Sequence, residues 1–185
     1  MTLPGHTGAE PARSTRMSWE EYERLEPDIR HEYVDGCLVV NPRPRFLHQQ
    51  MLRRLTNMLE AAVPAGYTAV NEWAWKPAAD EWDPDVMVCA YDPGADPDPV
   101  RFTGTPVVVV VLSSNRAGDL VKKLYRYAEA GLARYWVADP DEPSVRAFEL
   151  RNGMYEEVTA AVGDAHVEFD LGVARVTLAP SELIR

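Results

Sequence analysis

The chain has 185 residues, of which 46% are hydrophobic, and a formal net charge of −10; that apolar content is enough for one core and one domain. So acidic a chain excludes broad, non-specific nucleic-acid binding, which needs a basic face, and any phosphate contact has to be local. No apolar stretch approaches the roughly 18 residues of a membrane span, and two cysteines, Cys37 and Cys89, are too few for a disulfide framework and read as inert thiols of a cytoplasmic protein.

In chain order, residues 1–16 are polar and broken by Pro and Gly, without the apolar run of a signal peptide. They read as a disordered segment ahead of a single domain over 17–185. Ser18-Trp19-Glu20-Glu21 has capping-box spacing and predicts a short helix that runs to Leu25 and stops before Pro27. Residues 31–40 alternate about Asp35-Gly36, which predicts a hairpin. Leu47, Met51, Leu55, Met58, Leu59 and Ala62 recur at helical spacing and predict an amphipathic helix packed on a sheet. Strands are expected over 67–75, 85–90 and 107–112, the last with five consecutive valines, as in a strand buried on both faces. YDPGADPDP between them is a surface loop. A second helix is expected over 119–130, ending at Gly131, and a strand over 134–138 completes a strand-helix-strand unit. Beyond Pro143 the chain reads as short strands at 145–150, 154–159 and 167–169, with a turn at Asn152-Gly153. There is no internal repeat.

Three places carry chemistry. Asp83-Pro84-Asp85 opens an apolar strand, so that a carboxylate held at the sheet's end is suited to a hard cation; the same residues also read as a plain turn. Asp119 and Lys123 share a helical face, where an exposed pair contributes only about 0.3–0.5 kcal/mol. Glu72 lies beside Trp73 and Trp75 on the preceding strand, a position equally suited to a solvated side chain.

Taken in order, Pro84-Asp85-Val86, Leu112-Ser113-Ser114-Asn115-Arg116, Asp119-x-x-x-Lys123-x-x-x-Tyr127-Ala128-Glu129-Ala130-Gly131 and Tyr135-Trp136-Val137-x-Asp139-Pro140 resemble the Uma-two family of restriction endonucleases, a branch of the PD-(D/E)XK nuclease superfamily. Glu32-Tyr33-Val34-Asp35-Gly36 and His48 are similar to that family's N-terminal pattern, and the resemblance spans residues 17–160. It implies an α/β fold, a mixed sheet flanked by helices with metal-binding carboxylates at one edge. It also implies catalytic roles for Asp85, Lys123 and Glu72, with Mg²⁺ or Mn²⁺ held by Asp85 and Glu72, and Lys123 beside the attacking water. The ion would offset phosphate charge and acidify water, and the ammonium would stabilise charge developing on phosphoryl oxygens. Glu32 and Lys122 are expected at the substrate, Lys122 in a local patch with Arg43, Arg45, Arg53 and Arg54; the same arginines read equally as a solvated helix face. DNA as substrate and a homodimer complete the expectation.

One position departs from the family. Its pattern Glu-Val-Leu-Ser stands here as Val110-Val111-Leu112-Ser113, so the second metal carboxylate is a valine, which cannot bind a cation. Two unit charges about 4 Å apart interact by about 4 kcal/mol at an effective dielectric of about 20, and a third of that already weakens binding about tenfold. Three functions are compatible with this: a phosphodiesterase in which Glu72 or Asp83 replaces the lost ligand, a catalytically inactive nuclease-fold binding module, and a self-associating protein using Trp73, Trp75 and Trp82.

Overall fold

A computed structural model of the chain describes residues 13–25, 31–41, 43–96, 99–112 and 117–185, with the backbone alone at 108–112 and 117–122. Its centre is a six-stranded sheet in the order β4-β5-β6-β7-β8-β9, formed by β4 (Tyr67–Asn71), β5 (Val86–Ala90), β6 (Val108–Leu112), β7 (Arg134–Asp139), β8 (Ser144–Arg151) and β9 (Met154–Val162). Only β6 and β7 run parallel, joined through α3 (Ala117–Glu129); every other neighbouring pair in this sheet is antiparallel. The strand-helix-strand unit expected around Gly131 is therefore the mixed part of the sheet, and Gly131 has the left-handed φ of +75° that ends such a helix.

Alternation along β5 explains why its sequence is apolar throughout. Val86 and Val88 face one layer, where Met51, Leu52, Leu55 and Leu59 of α2 (Phe46–Ala62) pack with Trp136 and Ala138. Met87 and Cys89 face the other, with Trp75, Trp82, Tyr135 and the α3 residue Tyr127. Trp136 packs at a tilt against Phe169 of β10 (Val167–Asp170), with ring centroids 5.0 Å apart. β10 pairs with β11 (Arg175–Leu178), a strand that the weak alternation after Phe169 does not announce. The chain closes on a 3-10 turn, Pro180–Leu183.

A second, three-stranded sheet lies at the N-terminal end, in the order β1-β3-β2, from β1 (Arg13–Arg16), β2 (His31–Val34) and β3 (Cys37–Val40). The β2-β3 turn is as expected, with Asp35 and Gly36 at φ +52° and +72°, the two left-handed positions of a tight hairpin turn. β1 falls inside the segment expected to be disordered; all four of its side chains are exposed, so its order comes from ladder hydrogen bonds to β3 rather than from burial. α1 (Trp19–Tyr22) has the full capping box, the Ser18 hydroxyl accepting from the Glu21 amide and the Glu21 carboxylate accepting from the Ser18 amide, and is shorter than the expected run to Leu25.

β4 also ends early. Asn71 is its last residue, Glu72 has φ +53°, and the chain leaves the sheet so that Trp75 can form single bridges with Trp82 and Phe102. Trp75 and Trp82 are 0% and 5% exposed, core residues rather than an association surface. Among the described residues no helix is long and apolar enough to cross a membrane.

Candidate active site

The cluster assembles where β2, α2, α3 and the start of β5 meet. The edge of the N-terminal sheet docks on residues 80–83: Tyr33 and Glu81 exchange backbone hydrogen bonds of 2.8 and 2.9 Å, and the Asp35 amide donates to Asp80. The Glu81 carboxylate secures this junction, accepting from the Tyr22 hydroxyl at 2.9 Å and lying 3.0 Å from Arg101 Nε. Arg101 also pairs with Glu23. The junction carries the adjacent Glu32 into the interior.

Glu32 is 3% exposed. A buried carboxylate is tolerated only when its oxygens are satisfied, and this one has three donors. Oε1 accepts from Lys123 Nζ and from the Asp83 amide, both at 3.2 Å, and Oε2 accepts from Asn41 Nδ2 at 3.1 Å. Lys123 projects from α3 one turn ahead of Tyr127, its side chain 26% exposed. Burial alone would push its pKa down; the charges of Glu32 and Asp85 and the hydrogen bond to Glu32 outweigh it, so the ammonium holds its proton above the ordinary lysine value.

Asp85, 8% exposed, immediately precedes β5. Its Oδ1 lies 3.2 Å from Nε2 of His48, on the sheet-facing side of α2. Two carboxylates, an ammonium and an imidazole therefore meet at one end of the sheet. The Tyr127 hydroxyl is fully buried behind them, and burial, then the charges of Glu32 and Asp85, hold its pKa well above the ordinary value.

Of the residues expected at the site, Asp85, Lys123 and Glu32 are brought together. Glu72 is exposed and reaches Asp85 through the main chain, its amide donating to the carbonyls of Pro84 at 3.2 Å and Asp85 at 3.3 Å. Asp83 is half-buried and holds Glu32 through its amide. The backbone of Val110 pairs with Val86 on one side and Trp136 on the other, which sets it one residue along from Asp85 across neighbouring strands. The side chains of Lys122 and Asp119 lie outside the described residues. Within the arginine patch, Arg45 is paired with Asp141, which offsets its charge, and Arg54 donates to the main-chain carbonyl of Glu182. His48 is similar to part of the family's N-terminal pattern, but that pattern does not give its place opposite Asp85; Asn41 is a partner that no motif singles out.

Among the described residues no three His, Cys, Asp or Glu side chains converge to hold a metal ion. The donor set agrees: Glu32 spends its oxygens on Lys123, Asn41 and Asp83, and Asp85 faces His48. These residues do not make up an ordinary magnesium site, which needs several free oxygen donors in octahedral array.

The family described as "Putative restriction endonuclease", Uma2, matches residues 19–180. Among solved structures the chain is similar to one described as "a putative nuclease belonging to DUF820" from Anabaena variabilis, at a TM-score of 0.73 and 18% identity, covering 91% of this chain and 97% of that one. At that identity the likeness carries the fold, a restriction-endonuclease-like mixed α/β architecture. No curated protein matches the chain.

Proposed function

Because the chain belongs to the Uma2 family, whose description is "Putative restriction endonuclease", we propose that it engages nucleic-acid phosphodiesters at the Glu32–Lys123–Asp85 cluster and is a hydrolase weakened by the valine at position 110. The observation that carries this reading is one ammonium paired with the buried Glu32 carboxylate and lying in the field of the buried Asp85 at the end of the sheet. Glu32 keeps Lys123 charged and aimed, so that its remaining N–H groups can donate to a non-bridging phosphoryl oxygen. Asp85, oriented from the α2 side by His48, accepts a hydrogen bond from the attacking water. Val110 supplies neither a ligand nor a base, and cleavage by the wild-type protein is therefore slow. With a net charge of −10, the contact with substrate is confined to this site rather than spread along a duplex.

The test is cleavage of plasmid and single-stranded DNA by wild type and V110E, side by side, in Mg²⁺ and then Mn²⁺. A rate in V110E about tenfold or more above wild type, lost again on adding D85N, is the expected result. Wild-type cleavage unaffected by D85N would refute the assignment of the site, and silence from both proteins would favour the inactive binding module.

A further inference from the structure

We infer that Glu72 is a positioning residue that fixes Asp85 through its main chain. The inference rests on the assignment of Asp85 to the site. It begins from a backbone outlier. Three described non-glycine residues have positive φ: Asp35, Glu72 and Asn152. Asp35 and Asn152 each precede a glycine in a two-residue hairpin turn, where Asp and Asn are the usual choices. Glu72 precedes Trp73, is exposed, and has the long side chain that rarely occupies this region. Strain of this kind persists where the surroundings over-determine it.

The surroundings are on either side. Tyr67 to Asn71 are locked into the β5 ladder, with Asn71 opposite Val86, and Trp75 is locked by bridges to Trp82 and Phe102. An extended Glu72 would continue the ladder past Asp85 and leave no route to Trp75. The left-handed residue instead turns its amide between the carbonyls of Pro84 and Asp85, at 3.2 and 3.3 Å. The Asp85 peptide is then held on three sides: the fixed φ of Pro84 before it, the β5 ladder after it, and the Glu72 amide across from it. From that peptide the carboxylate reaches His48.

The reporter is the ring signal of His48 in a proton NMR spectrum at fixed pH, assigned among the four histidines by its loss in H48Q, with D85N to show how far it moves when Asp85 is altered. E72Q is expected to leave the signal and the stability at wild-type values. E72G is expected to leave the signal in place while raising the folding constant about threefold or more, since the left-handed penalty removed exceeds the added chain entropy of glycine. E72V, with a branched side chain where φ is positive, is expected to lower the folding constant and displace the signal toward that of D85N; E72A imposes milder strain and reads the same way should E72V not fold. If E72Q displaced the signal as far as E72V, the carboxylate would be the active part. If the strained variants lost stability while the signal stayed at its wild-type position, residue 72 would have no hold on Asp85. Cleavage enters neither readout, so failure here is separable from failure of the nuclease assignment.

Discussion

Lys123→Met tests the electrostatic centre of the site most directly. Nζ lies 3.2 Å from Glu32 Oε1, a separation at which two unit charges attract by about 5 kcal/mol at an effective dielectric of about 20. Part of this is offset by desolvation of both groups. What decides the outcome is the group left behind: Glu32 at 3% exposure keeps the Asn41 amide and the Asp83 N–H but loses its counter-ion. Removing one partner of a buried pair costs about 3–5 kcal/mol, and the 26% exposure of the Lys123 side chain places K123M near about 3 kcal/mol, the lower end of that range. E32Q/K123M removes both charges, so its loss should fall short of the summed single losses by at least about 1.5 kcal/mol. The assay is urea unfolding of the four proteins at pH 8, where Lys123 is charged in both folded and unfolded chains. A K123M loss below about 1 kcal/mol, the size of an exposed pair, with no coupling to E32Q, would refute the description of a buried and satisfied ion pair.

Alkali should unfold the protein steeply. The folded chain holds protons above their ordinary values on Lys123, Tyr22, Tyr127, Tyr135 and Tyr155, and burial pushes the Cys89 thiol up to about 12. All six have one sign: the unfolded chain releases these protons first, so the stability is present in full below about pH 9 and falls above it by about 1.4 kcal/mol per pH unit for each group. Tyrosinate absorbance should accordingly show half of the eight tyrosines ionising only as the circular dichroism signal collapses; eight ionising before it would contradict this. The melting temperature of the wild-type protein should be the same in EDTA and in millimolar Mn²⁺, since Glu32 already has Lys123 as counter-ion, whereas V110E should melt lower in EDTA and recover on adding Mn²⁺. Trp136→Ala, at a side chain 1% exposed and packed against Phe169, should lose about 3–5 kcal/mol, measured as a lower urea midpoint at unchanged slope.

Local rules made much of the fold legible. The valine run of β6 announces a strand inside the sheet, where it lies between β5 and β7, the apolar β5 announces a strand buried along its length, and Asp35-Gly36 and Asn152-Gly153 announce tight turns that have the expected positive φ. Gly131 marks the end of α3 because a left-handed residue terminates a helix whatever surrounds it. The family motifs likewise pointed to Asp85 and Lys123, which the fold brings to one end of the sheet. Pairings between distant parts of the chain were not legible. Glu32 meets Lys123 across 91 positions, and it does so because Glu81, Tyr22 and Arg101 dock the N-terminal sheet at that height. His48 meets Asp85 only because α2 packs on the face of β5 shown by Val86 and Val88. The exit of β4 at Glu72 answers the fixed place of Trp75 in the core, which no window of neighbouring residues contains. Sequence specified most elements, β1 and β11 apart, since helix and strand periods and turn conformations are properties of adjacent residues; tertiary packing decided which charges face one another, since a buried carboxylate takes its partner from whatever donors the docked elements bring within about 3 Å.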